Sequence, residues 1–186
     1  MIIRRFGFNI YLLPLLLPLL IAGCRTEAGK IRHQYSAFTV HMETQGDKKD
    51  STKLVSVVRS SPVLLNIEKE PFLNESMVKS AKVMDVPQGG FVLQIEFTRS
   101  ASLTLEQYSA RSMGKRFAIY GEFGQQTVHN VFPHSRWLAA PVIDRRISNG
   151  TLVFTPDADR KEAEDFALGL NNLARVRKSR SYIDED

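Results

Sequence analysis

The chain has 186 residues, a formal net charge of +5 and a single cysteine. That length carries a real hydrophobic core in one domain, or in one domain plus a short extra layer. A lone cysteine excludes a disulfide framework and cysteine metal sites, so stability must come from packing, and the modest basic excess gives little support for nucleic-acid binding.

The first element is an apolar run from Ile10 to Ala22, preceded by Arg4 and Arg5 and closed by Leu20-Ile21-Ala22-Gly23-Cys24. A basic start, an apolar middle and small residues at a cleavage point are the layout of a secretory signal. Pro14 and Pro18 interrupt the run, which is short for a membrane span of roughly 20 apolar residues. The five closing residues resemble the lipobox of bacterial lipoproteins, in which the cysteine sulfur receives a diacylglycerol before the signal is removed. The resemblance implies a mature chain that starts at Cys24, sits on a membrane by its acyl chains and faces the periplasm. Arg25 rather than an aspartate follows the cysteine, which in a two-membrane cell points to the outer membrane. The formal charge falls from +5 to +3 once Arg4 and Arg5 leave with the signal.

Residues 24–34 read as a polar tether. Ser36 to Gln45 alternates, placing Phe38, Val40 and Met42 on one face of a strand. A charged turn at 46–51 leads into a valine- and leucine-rich strand from Lys53 to Arg59, and Ser61-Pro62 separates it from a short strand at Val63 to Ile67. Asn74 to Lys82 reads as a short helix or helical turn carrying Met77, Val78 and Ala81 inward. Phe91 to Thr98 is the clearest strand, with Phe91, Leu93, Ile95 and Phe97 on one side. Thr104 and Gln107 fit a capping box, Leu103 and Tyr108 a hydrophobic staple, and Gly114 a left-handed helix stop. Strands follow at Arg116 to Phe123, Thr127 to Phe132, Leu138 to Ile143 and Gly150 to Phe154, with Pro133-His134-Ser135 as a loop. Thr155-Pro156-Asp157 starts a last helix whose apolar stripe is Ala163, Phe166, Ala167, Leu170 and Ala174. The basic residues Arg175, Arg177, Lys178 and Arg180 and the acidic tip at 184–186 read as a disordered tail.

Strand, helix, several strands, helix is an α+β pattern: an antiparallel sheet with two helices packed on one face. The extra N-terminal strands would cover the other face, or that face would stay partly wet. The expected organisation is a lipoprotein signal peptide at 1–23, a tether at 24–34, an N-terminal strand region at 35–70, an α+β domain at 71–175 and a charged tail at 176–186.

Within the α+β domain the order of short motifs is informative. It runs Ala81-Lys82-Val83, a strand ending in Phe97, then Gly114-Lys115-Arg116-Phe117-Ala118-Ile119. Ala140-Pro141-Val142-Ile143 follows, then Ile147 and Gly150, Phe154-Thr155, Glu162-Ala163 and Phe166-Ala167-Leu168-Gly169-Leu170. This succession resembles the head part of the first large periplasmic domain of SecD, a protein-export membrane subunit. The family joins its two middle strands by a tight turn, whereas the stretch from Gly121 to Arg136 is longer here. The subunit's membrane helices have no counterpart after the signal. The resemblance therefore implies a fold and a general role, an envelope domain that contacts other polypeptides, and not proton-coupled transport.

Candidate chemistry is sparse. His129 and His134 are the one close histidine pair, and a metal site needs at least three converging ligands. Ser76-Met77-Val78-Lys79 has the Ser-x-x-Lys spacing without its partner motifs. Asp157, Asp159, Glu162 and Glu164 suit the positive end of a helix dipole. No catalytic residue, metal or cofactor is expected, and lipidation is assigned to Cys24. Phe132, Arg136 and Trp137 form a candidate partner contact, since tryptophan and arginine are favoured at interfaces, although Trp137 reads equally well as filling the core at a strand start. The expected function is a lipid-anchored, non-catalytic envelope protein that acts by protein or polypeptide contact, with a link to export. An envelope hydrolase with an unrecognised site and a small-ligand carrier are the alternatives.

Overall fold

A computed structural model describes residues 34–46, 50–59, 61–124 and 134–183. The chain divides into two units, 1–31 and 32–186, and the described residues belong to the second. The signal, Cys24 and most of the tether lie outside the described residues, as do the expected strand from Thr127 to Phe132, His129 and the acidic tip.

The described residues form nine strands and two α-helices: β1 Ala37–Met42, β2 Thr52–Val57, β3 Val63–Glu68, β4 Leu73–Asn74, β5 Val78–Asp85, β6 Phe91–Phe97, α1 Arg99–Arg111, β7 Phe117–Phe123, β8 His134–Ala139, β9 Thr151–Phe154 and α2 Arg160–Ile183. All pairing is antiparallel, in sheets of order β4-β1-β7-β8, β2-β3 and β5-β6-β9. The fold is α+β, as the element pattern requires.

The core follows from two-residue alternation. In β1, Phe38, Val40 and Met42 are buried and lie opposite Gly121, Ile119 and Phe117 of β7. In β6, Leu93, Ile95 and Phe97 are buried and join Leu152 and Phe154 of β9. Ala101 and Leu105 of α1 and Phe166, Ala167 and Leu170 of α2 complete one continuous core. The hairpin β2–β3 covers the far face of the four-stranded sheet. Val55, Val57, Leu65 and Ile67 bury against Ala118, with Trp137 packed on them. The hairpin thus supplies the cover that the sequence requires of its N-terminal strands.

Several expectations at element level are corrected. Asn74 to Lys82 is no helix: β4 is followed by a 3-10 turn at Glu75–Met77 and then by β5. A register shift between Val78 and Ser80 inserts an extra residue, so the inward-facing Val78 and Ala81 stand three apart. A bulged strand imitates helical spacing there. Helix α1 starts five residues before Thr104, with Thr98 before its first turn and no side-chain cap. Thr104 Oγ1 instead donates back to the Ser100 carbonyl at 3.3 Å. Leu103 is exposed, and Tyr108 stacks on Phe72 at 4.2 Å. The inward stripe of α1 is Ala101, Leu105 and Ser109. Gly114 has φ +81° but does not cap the helix: α1 ends three residues earlier at Arg111, and Gly114 lies in the following turn, where Lys115 N–H donates to the Ser112 carbonyl at 3.1 Å.

Helix α2 starts at Arg160, not at Thr155. Asp159 and Glu162 form the capping box: Glu162 N–H donates to Asp159 Oδ1 at 2.8 Å and Asp159 N–H donates to the Glu162 carboxylate at 3.0 Å. The reciprocal pair satisfies two amides that the earlier threonine cannot reach. His134 and Ser135 belong to β8 rather than to a loop, and β8 ends at Ala139, leaving Val142 in a single bridge to Arg116. The stretch expected as a disordered tail is the end of α2, which runs to Ile183.

Candidate functional site

The residues expected at a partner contact sit where β8 meets α2 and the hairpin. Phe132 lies outside the described residues. Arg136 donates from Nε to the Asp157 carbonyl at 3.0 Å and pairs through Nη2 with Glu162. Its guanidinium lies 5.0 Å from the Phe123 ring centroid. The Arg136 hydrogen bond holds the Glu162 carboxyl below the usual carboxylate range against the opposing effect of burial. This glutamate, expected as an acid at the positive end of the helix dipole, is both cap and arginine partner.

Trp137 faces the hairpin. Its ring lies 5.4 Å from His41, 5.2 Å from Tyr120 and 5.1 Å below Lys53 Nζ. It therefore fills the seam between sheet and hairpin and leaves only part of its ring to solvent. His41 is buried in the same seam. One ring nitrogen, Nδ1, lies 2.9 Å from the Glu68 carbonyl and the other, Nε2, lies 3.0 Å from Thr39 Oγ1. A neutral ring satisfies both, with Nδ1–H donating and Nε2 accepting. Burial lowers the His41 pKa below 6.5, and nearby Lys53 acts in the same direction, against the Glu68 carbonyl and Glu70. A depressed histidine contributes stability that is present above its unfolded pKa and is lost as pH falls through the folded value. Urea midpoints are therefore expected to drop between pH 7.5 and pH 5, and to drop less in His41→Gln. An equal drop in both would remove His41 from the account.

A second polar tie has no signature in the sequence pattern. Val58 follows β2 with φ +66°, an unusual conformation for a β-branched residue. Arg59 then donates its backbone N–H to Asp157 Oδ2 at 2.8 Å and its Nε to the same oxygen at 3.0 Å. Burial raises the Asp157 pKa, but the hydrogen bonds from Arg59 outweigh it and the net shift is downward. The hairpin tip is thus fastened to the loop that precedes α2. Helix α2 also guards the free edge of β5. Asn171 accepts from Ala81 N–H at 2.9 Å and donates to the Ala81 carbonyl at 2.8 Å, and Arg177 donates to the Ser76 and Val78 carbonyls.

The Ser-x-x-Lys pair is not assembled. Ser76 Oγ donates to Asn74 Oδ1 at 2.6 Å, whereas Lys79 is ion-paired with Glu96 at 2.5 Å. His134 is half exposed at the start of β8, 4.0 Å from Glu162. Among the described residues, no three His, Cys, Asp or Glu side chains are placed to hold a metal ion, and no helix is long and apolar enough to cross a membrane. Concave features among the described residues include a groove of about 360 Å³ between β9 and the segment 141–149, floored by Phe117, Ile143 and Leu152, and a more open hollow of about 420 Å³ at the start of α2, lined by Phe123, His134, Glu162 and Asp165.

Sheets, helices and hairpin in this order match a known pattern. The sequence profile of the SecDF P1 head subdomain matches residues 41–174. The chain belongs to the SecDF P1 head family. Its match begins within β1, which lies between β4 and β7 in the sheet of the head. No curated protein sequence matches the chain. Two solved structures share the fold. One is SecDF described as a membrane component that enhances protein export, at 16% identity and a TM-score of 0.51, covering 91% of this chain and 72% of that one. The other is SecDF in a super-membrane-facing form, at 18% identity and a TM-score of 0.52, covering 79% of this chain and 21% of that one. The head is therefore common to both, whereas most of the second SecDF chain has no counterpart here.

Proposed function

We propose that this chain is a lipid-anchored, non-catalytic envelope protein that presents a SecDF-type head to other polypeptides in a process linked to protein export. The observation that carries the reading is the head itself, a family match over residues 41–174. The anchor rests on the lipobox-like run ending in Cys24, and the outer membrane on Arg25 after it. Acyl chains on Cys24 would hold the head in the periplasm by burial of roughly 0.8 kcal/mol per CH₂. Contact then replaces chemistry in this reading: the described residues of the head offer strand edges and apolar surface, and Ser76 and Lys79 are partnered apart from one another. Arg136 and Trp137 stay within the proposed contact surface, and Phe132 stays a candidate for it by its place in the sequence alone. Arg136 and Trp137 already have internal partners, so they serve more to shape the β8 end than to grip a ligand.

Two measurements test the reading. For the anchor, wild type is expected to fractionate with membranes as a species that starts at Cys24 and carries added acyl mass, and Cys24→Ala is expected to lose both properties. An unprocessed wild-type chain in the soluble fraction would remove the lipoprotein part. For the contact, photo-crosslinkers on the exposed head surface of the full chain are expected to capture newly made exported polypeptides in intact cells.

A further inference from the structure

We propose that the groove between β9 and the segment 141–149 binds an extended polypeptide segment by strand addition, so that the ligand bridges the two main sheets of the head. The inference rests on the polypeptide-contact reading and specifies its ligand as unfolded chain rather than a folded partner.

The argument starts from backbone accounting. Strand β9 is an edge of its sheet. Phe97 N–H donates to the Gly150 carbonyl at 3.0 Å, and the register continues Glu96 with Thr151, Ile95 with Leu152 and Gln94 with Val153. In an antiparallel ladder, alternate pairs exchange both hydrogen bonds and the pairs between them turn outward. Leu152 therefore bonds to β6, while Thr151 and Val153 direct their backbone groups away from it. The Thr151 N–H confirms the direction, since it donates to Asn149 Oδ1 at 3.1 Å. The Thr151 carbonyl and both groups of Val153 have no backbone partner among the described residues.

The opposite wall repeats the pattern. Arg116 pairs with Val142, flanked by Phe117 N–H to the Pro141 carbonyl at 3.1 Å and Ile143 N–H to the Lys115 carbonyl at 2.8 Å. Those flanking bonds make Arg116 and Val142 a non-hydrogen-bonded pair, so Val142 turns its N–H and carbonyl away from β7. Val142 and Val153, exposed by 48% and 46%, line the same groove. Three consecutive residues of β9 line it together, which means that the strand's backbone edge and not one of its faces forms the wall.

Three further observations select the ligand. The groove is held open by fixed walls: Gly114 N–H donates to the Ile143 carbonyl, Ile147 N–H to Ser109 Oγ, and Arg146 pairs with Glu106. The other edge of this sheet, β5, is already covered by Asn171 and Arg177 of α2, so β9 is the edge left for addition. The wall charges are balanced, with Asp144 beside Arg145 and Arg146 tied to Glu106. Unpaired backbone groups on both walls, apolar lips and no net charge fit the polypeptide backbone itself, read with little regard to sequence.

The test uses the full chain in detergent and a short synthetic peptide of alternating valine and serine carrying a fluorophore. Saturable binding is expected, with the Val142 and Val153 amides slowed in hydrogen exchange. N-methylation of alternate peptide residues removes the donors on one edge and is expected to weaken binding roughly tenfold. Val153→Pro deletes an outward amide without touching the β6 ladder and is expected to do the same, whereas Val153→Ala keeps that amide and is expected to retain most of the affinity. Added salt is expected to change little. The peptide modification needs no variant to fold, so equal binding of the methylated and unmethylated peptides overturns the proposal, as does the absence of saturable binding. If that happens while crosslinkers on the hairpin at Leu54 and Leu64 still capture exported chains in cells, strand addition falls and the contact reading stands. If no surface position captures any exported chain, the contact reading falls with it.

Discussion

Replacing Phe166 with alanine is expected to destabilise the head by about 3–5 kcal/mol. The side chain is 1% exposed. It meets Phe123 edge-on at 5.6 Å and Phe38 at 6.3 Å, and so joins α2 to β7 and β1. Its ring also lies over Gly121, where a Cβ would stand 3.0 Å from Phe166 and 2.5 Å from Leu138 Cδ1. The fit of ring to glycine leaves few neighbours able to collapse into the vacated space, which places the loss in the upper part of the range for large-to-small changes. Thermal unfolding is expected to move down by roughly 10 °C or more. A variant that melts with wild type would show that α2 is not seated on the sheet through this ring.

The second large effect is expected at Gly169, in the middle of α2. A Cβ there would lie 2.7 Å from the Ser36 backbone nitrogen and 2.8 Å from the Tyr35 carbonyl carbon. Those atoms belong to the backbone leading into β1, which cannot swing aside as a side chain can. Ser36 Oγ is buried there without a hydrogen-bond partner, and Gln34 is tied to the same helix through the Asp165 carbonyl and Asn172. Gly169→Leu is expected to cost about 3 kcal/mol, since overpacking typically costs about 1–3 kcal/mol and here the obstacle is main chain. Gly169→Ala gains helix propensity of about 1 kcal/mol that offsets part of the strain, so its net loss is expected to be smaller. Denaturant titration of the three proteins checks the order. A Leu variant as stable as wild type would mean that β1 does not enter the fold against this helix.

The legible parts of this chain were those where the local pattern and the tertiary outcome agree. The alternation in β1 and β6 and the stripe Ala163, Phe166, Ala167, Leu170 reach the core as read. Gly114 takes the positive φ its conformational freedom suggests, in the turn after α1. The misreadings have physical causes. A bulge moved Val78 and Ala81 to helical spacing, and a threonine that looked like a cap sat within a helix that began earlier. Asp159 and Glu162 form a better box than the proline-containing start beside them. Trp137 read equally well as core or contact, because its role depends on a hairpin far away in sequence. The tie from Arg59 to Asp157, the clamp of Asn171 on Ala81 and the open edge of β9 had no sequence signature. They arise from which backbone groups the folded sheets leave unpaired, and single-sequence patterns record side chains rather than those groups.

The central claim is that the head meets exported polypeptides from a membrane anchor. Its most direct measurement is a photo-crosslinking scan of the full-length chain in intact cells, with probes at Val142, Val153, Leu54, Leu64 and Leu103 and pulse-labelled exported proteins as the readout. Adducts at Val142 and Val153, weakened when Cys24→Ala releases the chain from the membrane, are the predicted result. Absence of adducts with exported chains at every position, in a protein shown to be folded and anchored, would contradict the account.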